Sequence, residues 1–199
     1  MSRYSIPNPD PRLGALPMLP SNPRNQHSRI HRSADNPALP SDASLLNLRL
    51  ATPADLTAAE DVSKRAYLRL RDVYRPTAAA TVRRDQGRQD YERLVGECNG
   101  RIVATLEYRS SSDSLHVRGL AVDPDDQGRG VGSVMIDEVV HVAHSMGLST
   151  ISLFTVRETG NVELFEHLGL RVVSEQVATW CKSDRYAHLH EVRMERAVL

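Results

Sequence analysis

Three glycines at alternate positions, in the segment Gln127-Gly128-Arg129-Gly130-Val131-Gly132, have the composition of a phosphate-binding loop. The segment follows an apolar run and precedes a stretch with helical periodicity. The first N–H groups of a helix have no partner within the helix, and the helix dipole favours an anion beside them. Glycine lets phosphate oxygens approach backbone N–H groups where a Cβ would intrude, and Arg129 can add positive charge from the side. This segment therefore predicts a site for a phosphorylated ligand.

The glycine spacing separates several kinds of phosphate loop. A nucleoside-triphosphatase loop ends in Gly-Lys-Ser/Thr, whereas Gly132 is followed directly by Ser133 with no lysine nearby, so that class is excluded. A dinucleotide fingerprint needs G-x-G-x-x-G directly after a strand, whereas here G-x-G-x-G follows the polar stretch 123–126. Glu158 can still supply a ribose contact, so a dinucleotide site in an oxidoreductase stays open. A loop that only begins a helix and binds nothing also stays open.

Two segments resemble the GCN5-related N-acetyltransferase (GNAT) superfamily. Leu120-Ala121-Val122-Asp123-Pro124, followed by the loop 127–132, is similar to its central motif, Arg/Gln-x-x-Gly-x-Gly/Ala, at every defining position. The segment 160–170, with Asn161 and Phe165, resembles a second superfamily segment that has an asparagine followed by an aromatic residue. The predicted order of strands and helices from residue 45 also agrees. The resemblance therefore covers about three quarters of the chain.

The resemblance implies a cofactor, a reaction and a set of binding residues. It implies transfer of an acetyl group from acetyl-CoA to a primary amine, of a small molecule or a protein, by direct attack in a ternary complex. Main-chain groups of the strand before the loop would pair with the pantetheine arm, and N–H groups of the loop would hold the pyrophosphate. The implied cofactor-binding residues are Leu120, Ala121, Val122, Gln127, Gly128, Arg129, Gly130, Val131, Gly132, Ser133, Asn161 and Phe165. Asn161 can also serve as the cap of a short helix. The superfamily's habit favours a homodimer formed through the last strands.

The amine must be neutral to attack a thioester, and an alkylamine of pKa ~10 is about one part in a thousand neutral at pH 7. A base is therefore useful, and it typically contributes ~10²–10⁴ in rate. Period-two alternation predicts that His116, Arg118, Leu120 and Val122 share one face of their strand. His116 is the first candidate base and Glu107 the second, because Arg118 occupies the place where the superfamily often has an acid. A histidine at a sheet edge without a catalytic role is the alternative for His116.

The leaving thiolate often takes its proton from a tyrosine in the superfamily, at the position held here by Phe165. Phenylalanine has no proton to give. Water or another hydroxyl, such as that of Tyr186, would then protonate the thiolate, or the thiolate would leave as an anion, which a thiol pKa of ~8.5 allows. The same substitution keeps open a non-catalytic acyl-CoA sensor or partner-binding module.

Composition sets the wider limits. Formal net charge is zero, so no global field attracts nucleic acid, and no apolar run approaches the ~18 residues of a membrane span. Cys98 and Cys181 have no metal or disulfide spacing, which favours reduced thiols of a cytoplasmic protein. His141 and His144 stand three apart without a third ligand, so no metal site is expected. Eight of the eleven prolines lie in residues 1–43, which predicts a disordered tail before one domain at 44–199. A transit peptide and a docking segment for a partner stay open for this tail.

The elements that must position the loop follow from periodicity. Alternation predicts strands, and apolar stripes at helical spacing predict helices. Val131, Met135, Val139, Val142, Ala143 and Met146 form one such stripe, ended by Gly147. Strands are predicted at about 45–51, 91–98, 101–110, 115–122, 150–156, 170–177 and 188–198, and helices at about 52–70, 76–85, 131–146 and 161–168. The predicted fold is α/β, with a mixed, mostly antiparallel sheet, a central parallel βαβ pair and flanking helices.

Overall fold

A computed structural model describes residues 46–86 and 90–198. The predicted tail, residues 1–43, and the predicted start of the first strand at Leu45 lie outside these residues. No helix within the described residues is long and apolar enough to cross a membrane. The same residues contain no group of three or more His, Cys, Asp or Glu side chains that could hold a metal ion.

The predicted fold class is confirmed. The described residues form an α/β fold with a mixed, mostly antiparallel sheet, one parallel pair and flanking helices. In chain order the elements are β1 (Asn47–Leu50), α1 (Leu56–Tyr67), β2 (Arg75–Pro76), α2 (Ala78–Gln86), β3 (Glu92–Cys98), β4 (Arg101–Ser111), β5 (Ser114–Val122), α3 (Val131–Ser145), β6 (Thr150–Val156), α4 (Asn161–His167), β7 (Arg171–Val177), β8 (Cys181–Lys182) and β9 (His190–Ala197).

The main sheet has the strand order β1-β3-β4-β5-β6-β9-β7, and β5 and β6 are its parallel pair. Met135 and Val139 of α3 and Phe165 of α4 pack on one face of the sheet. Ala59 and Val62 of α1 pack on the other. The two faces are named here the α3 face and the α1 face. Burial on both sides explains why the middle strands β4 to β6 are rich in apolar residues.

Local sequence signals placed the hairpin and the first helix well. Asn99 and Gly100 both have positive φ, 51° and 75°, as a two-residue hairpin turn between β3 and β4 requires. Asp55 accepts hydrogen bonds at 2.7 Å from the N–H and the hydroxyl of Thr52, which fixes the chain just before α1. The predicted last turn of this helix is instead a 3₁₀ turn, Arg69–Asp72.

Helix α3 keeps the predicted apolar stripe with one change at its end. Four of the six predicted members are buried, but Val142 is half-buried and Met146 is 49% exposed. Met146 lies outside because the helix ends at Ser145, and Gly147 then turns the chain with a φ of 70°. Ile136 is buried in its place, so the stripe is centred nearer the start of the helix.

A small antiparallel ribbon of β2 and β8 was not predicted. It ties the connection after α1 to the connection before β9. Its two-residue strands are too short to show a period, and β2 contains Pro76, which weakens any strand signal. The Ser183 hydroxyl donates to Val73 O at 2.5 Å and the Thr77 N–H to Trp180 O at 2.9 Å, so side-chain and backbone bonds extend the ribbon.

A β-bulge interrupts β5. Thr105 pairs with Ala121 and Glu107 pairs with Arg118, so two residues of β5, Gly119 and Leu120, lie opposite one residue of β4. Gly119 has a φ of 68°, a conformation that glycine adopts without the steric cost of a Cβ. The bulge shifts the alternation of side chains along the strand by one residue.

This bulge makes the predicted common face of β5 wrong. Leu120 and Val122 pack with the cluster on the α3 face, as Leu115 and Val117 do. His116 and Arg118 alternate with those last two residues and therefore lie on the α1 face. The candidate base, His116, and two of the predicted cofactor-binding residues, Leu120 and Val122, consequently belong to opposite faces of one strand, on either side of the bulge.

Strands β5 and β6 separate after a short parallel stretch. Their pairing runs from Ser114 with Thr150 to Val117 with Leu153. Beyond that point β5 continues only with β4, to Val122, and β6 only with β9. The opening between residues 118–122 of β5 and 154–156 of β6 is named here the fork.

Backbone groups of β5 point into the fork. The Asp123 N–H donates to Val103 O at 2.8 Å, so the backbone groups of Asp123 are directed toward β4. Ala121 lies two residues earlier in the strand, and its backbone groups have the same direction. Alternate residues of a strand direct these groups to opposite neighbours. The N–H and C=O groups of Leu120 and Val122 therefore face the fork, where β6 has moved away.

Candidate active site

The glycine loop leads directly into α3. Gly130 precedes the helix with a φ of 81°, and its position carries no side-chain cap. The first hydrogen bond of the helix is that from the Val134 N–H to Gly130 O, at 3.2 Å. The N–H groups of Val131, Gly132 and Ser133 therefore have no partner within the helix, and the positive end of the helix dipole lies beside them. This arrangement can hold an anion such as a phosphate group.

The first turn of α3 lies over the end of β5. A Cβ built on Gly132 would have Val122 Cγ2 as its neighbour, at 4.0 Å. The Gln127 side chain donates from Nε2 to Val122 O at 2.9 Å and so ties the loop to the rim of the fork. The N–H groups at the start of α3 therefore lie next to the fork, and the two together are named here the cleft.

A buried acidic residue anchors the other side of the loop. Asp123 is fully buried and receives Arg65 at 2.6 Å, Arg101 at 3.2 Å and the Asp125 N–H at 3.2 Å. Arg101 also donates to Asp126 at 2.7 Å. Because a buried charge is costly unless it is paired, these bonds hold the polar stretch before the loop in one conformation.

Arg129 and Asp126 form a looser pair on the loop itself, with 3.6 Å between Nη1 and Oδ1. The Arg129 side chain is half-exposed, so it can turn toward an anion held by the loop.

The inner wall of the fork is apolar. Leu120 and Val122 pack against the same cluster as Phe165, whose ring is 9% exposed. The Tyr67 hydroxyl lies 3.5 Å from Leu120 O, so a hydroxyl from α1 reaches this rim. Phe165 thus packs within the core of the α3 face and supplies no hydrogen-bonding group to the cleft.

Asn161 is the first residue of α4, and Gly160, with a φ of 76°, occupies the cap position. The interpretation of Asn161 as the helix cap is therefore wrong. The Asn161 N–H lies 3.4 Å from Thr159 Oγ1, so the side chain of Thr159 contributes to this helix start.

His116 lies at the closed end of the fork, on the α1 face. It pairs across the sheet with Ser152, whose Oγ is 3.4 Å from His116 Nδ1. Its ring makes edge contacts with Tyr91 and Phe154, with ring centroids 6.2 and 5.6 Å away. Burial, together with the charges of nearby arginines, lowers the pKa of His116 to about 4. The imidazole is therefore neutral at pH 7 and has a lone pair available.

Glu107 lies between two arginines in neighbouring strands. Its carboxylate accepts Arg93 at 2.5 Å and Arg118 at 2.8 Å. Burial alone would raise the pKa of Glu107, but the hydrogen bonds and charges of the two arginines outweigh it, and the pKa is lowered. This trio is named here the arginine ladder. A carboxylate held on both oxygens by guanidinium groups is a weak base, so the geometry places His116 ahead of Glu107.

Tyr186 lies in the connection between β8 and β9. Its N–H donates to Ser183 Oγ at 3.2 Å, and the Arg185 guanidinium is 5.9 Å from its ring centroid. Within the described residues no hydrogen bond joins it to β5 or to the glycine loop. The structure therefore does not bring Tyr186 together with His116.

Several residues at the fork were not singled out from the sequence. They are Tyr91, Arg93, Ser152, Phe154 and Arg193. Ser152 is the one most easily recognised in the sequence, because it is a polar residue within the apolar run that forms β6, where it is buried. The arginines carry no such signal, because their proximity depends on the pairing of strands distant in sequence.

Comparison with known proteins gives three findings. The sequence profile of the Acetyltransferase (GNAT) family matches residues 57–170. A search of curated protein sequences found no significant match. Many solved structures resemble the chain, and three are described here.

The first is the ribosomal-protein-S18-alanine N-acetyltransferase from Escherichia coli, with a TM-score of 0.61 and 20% identity over 77% of this chain and 94% of that chain. The second is nourseothricin acetyltransferase, with a TM-score of 0.58 and 17% identity over 78% of this chain and 99% of that chain. The third is an acetyltransferase from Bacillus subtilis in complex with CoA, with a TM-score of 0.57 and 13% identity over 77% of this chain and 99% of that chain. At these identities the likeness shows a shared fold.

Proposed function

The chain belongs to the Acetyltransferase (GNAT) family, whose profile spans more than half of it, and on that premise we propose that it transfers an acetyl group from acetyl-CoA to a primary amine. The amine attacks the thioester directly while both substrates are bound. The observation that carries this proposal is the adjacency of the fork and the N–H groups at the start of α3, which have no partner within the helix.

The cleft suits the two chemically different parts of acetyl-CoA. The pyrophosphate is an anion and fits the N–H groups from Gln127 to Ser133, with Arg129 beside them.

The pantetheine arm contains amide groups and fits the N–H groups of Leu120 and Val122, which face the fork. The two carbonyl oxygens beside them already accept hydrogen bonds from the Tyr67 hydroxyl and the Gln127 side chain. The backbone groups of Ala121 are directed toward β4 and its side chain packs in the α1-face cluster, so this residue offers no backbone group to the pantetheine arm. One structural neighbour, the acetyltransferase from Bacillus subtilis, is a complex with CoA, which supports CoA as a ligand of this fold.

The reaction follows from this placement. The lone pair of the neutral amine forms a bond to the thioester carbon, and the C–S bond breaks with its electron pair remaining on sulfur. The nitrogen loses one proton, and the CoA thiolate gains one, so the products are the N-acetyl amine and free CoA. No other reactant is needed.

His116 is the proposed base. It lies where β5 and β6 part, on the α1 face, between the rings of Tyr91 and Phe154. An imidazole of pKa about 4 is too weak to deprotonate an alkylammonium ion. It can accept the proton later, because the nitrogen becomes positively charged and acidic as the N–C bond forms.

This assignment has a consequence for the pH profile of kcat/KM. Protonation would occupy the lone pair of His116, and with its pKa lowered to about 4 the resulting fall in rate lies near pH 4 instead of near 6.5. We expect the profile between pH 5 and 9 to follow only the deprotonation of the amine. His116→Ala should lower kcat/KM by about 10²-fold or more.

The matched control is His144→Ala, since His144 is an exposed histidine on α3. It should leave the rate unchanged. If the wild-type profile has an acid limb near pH 6.5 that disappears in His116→Ala, the pKa of His116 is not lowered. If kcat/KM of His116→Ala equals that of the wild type, His116 is not the base.

The absence of a phenolic proton at Phe165 favours one second function. A protein of this fold could bind acetyl-CoA as a sensor without transferring the acetyl group. Water at the open side of the fork is the proposed proton source for the thiolate, since no hydrogen bond among the described residues joins Tyr186 to the fork.

Release of free CoA decides between the two functions. Acetyl-CoA is incubated with the protein and a panel of amines, and the new thiol is measured with a thiol-reactive dye. We expect amine-dependent release that exceeds the hydrolysis measured without amine. Binding of acetyl-CoA without release for any amine would favour the sensor.

A further inference from the structure

The α1 face at the fork is unusually rich in arginine. Two rows of side chains cross the sheet there. The first row runs through paired strands and consists of Arg109, His116, Ser152 and Glu195. The second row is divided by the fork. It consists of Arg93, Glu107 and Arg118 on the β5 side and of Phe154 and Arg193 on the β6 side. Arg118 and Arg193 therefore flank the fork on the face where the amine must arrive.

These arginines are not fully neutralised. Four arginines share three carboxylates, and Glu107 alone serves two of them. Among the described residues, no acceptor lies within hydrogen-bonding distance of Arg93 Nη1 or Arg118 Nη2, although both nitrogens are buried. A buried donor without a partner is unfavourable, so these two guanidinium groups are held here at a cost to stability.

Arg193 is the most accessible of these arginines beside the fork. Its side chain is 42% exposed, and it donates through Nη2 to Glu195 at 2.5 Å. A guanidinium has five N–H donors, so one bond leaves others able to bind a carboxylate. Arg109 is similarly exposed but lies on the far side of His116, and the ladder arginines are largely buried.

An apolar surface adjoins Arg193. Phe154, its partner across the strands, is 49% exposed and contacts the His116 ring. Tyr91 lies on the other side of His116, with the Arg118 guanidinium 3.5 Å from its ring centroid. An apolar side chain of a ligand can stack on this aromatic surface without disturbing the arginines.

We infer that the acceptor is a small amine carrying a carboxylate next to its amino group and an apolar side chain, and that Arg193 binds this carboxylate. The inference rests on the proposed function and names the substrate class of the same site. Arg118 and Arg109 add positive charge, which attracts the carboxylate and disfavours acceptors with several positive charges. The same charge favours the neutral form of the attacking amine.

Phenylalanine and phenylalaninamide test this inference as a matched pair. They differ only in the carboxylate, and the amide, whose amine resembles a peptide α-amine of pKa about 8, has more neutral amine at pH 7. Intrinsic reactivity therefore favours the amide. We expect kcat/KM for phenylalanine to exceed that for the amide at least 10-fold, because a charge-assisted pair contributes about 1.5–3 kcal/mol.

Variants identify the arginine. Arg193→Gln should lower kcat/KM for phenylalanine by about 10–100-fold and leave that for the amide unchanged, and Arg193→Lys should restore part of the loss. Arg157→Gln is the control, since Arg157 is 40% exposed and also pairs with a carboxylate at 2.5 Å. Preference for the amide in the wild type, or equal losses for both amines in Arg193→Gln, would overturn the inference.

Calorimetric binding of the two amines in the presence of CoA separates this inference from the proposed function. Tighter binding of phenylalanine that is lost in Arg193→Gln would support the carboxylate site even if no amine released CoA from acetyl-CoA. Equal binding of both amines would overturn the carboxylate site even in an active transferase.

Discussion

Replacement of Gly130 by Val should abolish acetyl-CoA binding, with an affinity loss of about 10²–10⁴-fold. Gly130 precedes the first turn of α3, and its φ of 81° is one that a β-branched residue adopts only with strain. A side chain there moves or covers the N–H groups that would hold the pyrophosphate. Losing about two charge-assisted hydrogen bonds of 1.5–3 kcal/mol each accounts for the expected change. Isothermal titration with acetyl-CoA measures it.

The matched control for this substitution is Gly147→Val at the other end of the same helix. Gly147 has a φ of 70°, and a Cβ built on it meets nothing within 4 Å. The backbone strain is therefore similar, about 1–2 kcal/mol, while the loop is untouched. Gly147→Val should bind acetyl-CoA as the wild type does. Unchanged affinity in Gly130→Val, or equal losses in both variants, would remove the pyrophosphate from the glycine loop.

Replacement of Glu107 by Gln should have the largest effect on stability, about 3–5 kcal/mol. The substitution keeps the shape of the side chain but leaves the guanidinium groups of Arg93 and Arg118 without a counter-charge in a buried place. For a domain of this size the melting temperature should fall by roughly 6–20 °C. Thermal unfolding followed by circular dichroism measures the change.

Glu175→Gln is the control for Glu107→Gln. Glu175 pairs with Arg157 at 2.5 Å near the surface, where water screens the ion pair, so Glu175→Gln should leave the melting temperature nearly unchanged. A pH titration adds a second test. The lowered pKa of Glu107 means that its contribution is present above the ordinary carboxyl pKa and is lost as the pH falls through the lower, folded-state value. A Glu107→Gln protein as stable as the wild type would show that the arginine ladder is not a buried ion-pair network.

The fold and the loop could be predicted because their signals are local. Helix α3 and the turn at Asn99 and Gly100 depend on residues within a few positions of each other. The glycine loop is likewise contained in six consecutive residues, 127–132. Such patterns fix an element before any tertiary contact is known.

The predicted common face of β5 is wrong because of the bulge at Gly119 and Leu120, which the sequence indicates only in part. Gly119 stands inside an apolar strand, and a lone glycine there is typical of a bulge. Strict alternation through Gly119 predicts His116 and Leu120 on one face. The bulge also directs Leu120 and Val122 toward the α3 face, so the error concerned the geometry that defines the site.

The arginine ladder and the residues around His116 could not be predicted, because they depend on register. Arg93, Glu107 and Arg118 lie on three strands, and a shift of one residue in either pairing would place a member on the other face. The lowered pKa of His116 has the same origin, since burial and arginines from neighbouring strands cause it. The sequence identifies the histidine but not its surroundings.

Thermal unfolding with and without acetyl-CoA, compared with NADH and ATP, tests the central claim most directly, because a ligand bound only by the native state raises its melting temperature. At a concentration about 100 times the dissociation constant, stabilisation of about 2.7 kcal/mol should raise the melting temperature by roughly 5–10 °C. We expect this rise with acetyl-CoA and none with NADH or ATP. No rise with saturating acetyl-CoA, or a rise with NADH alone, would contradict the acetyl-CoA site formed by the fork and the glycine loop.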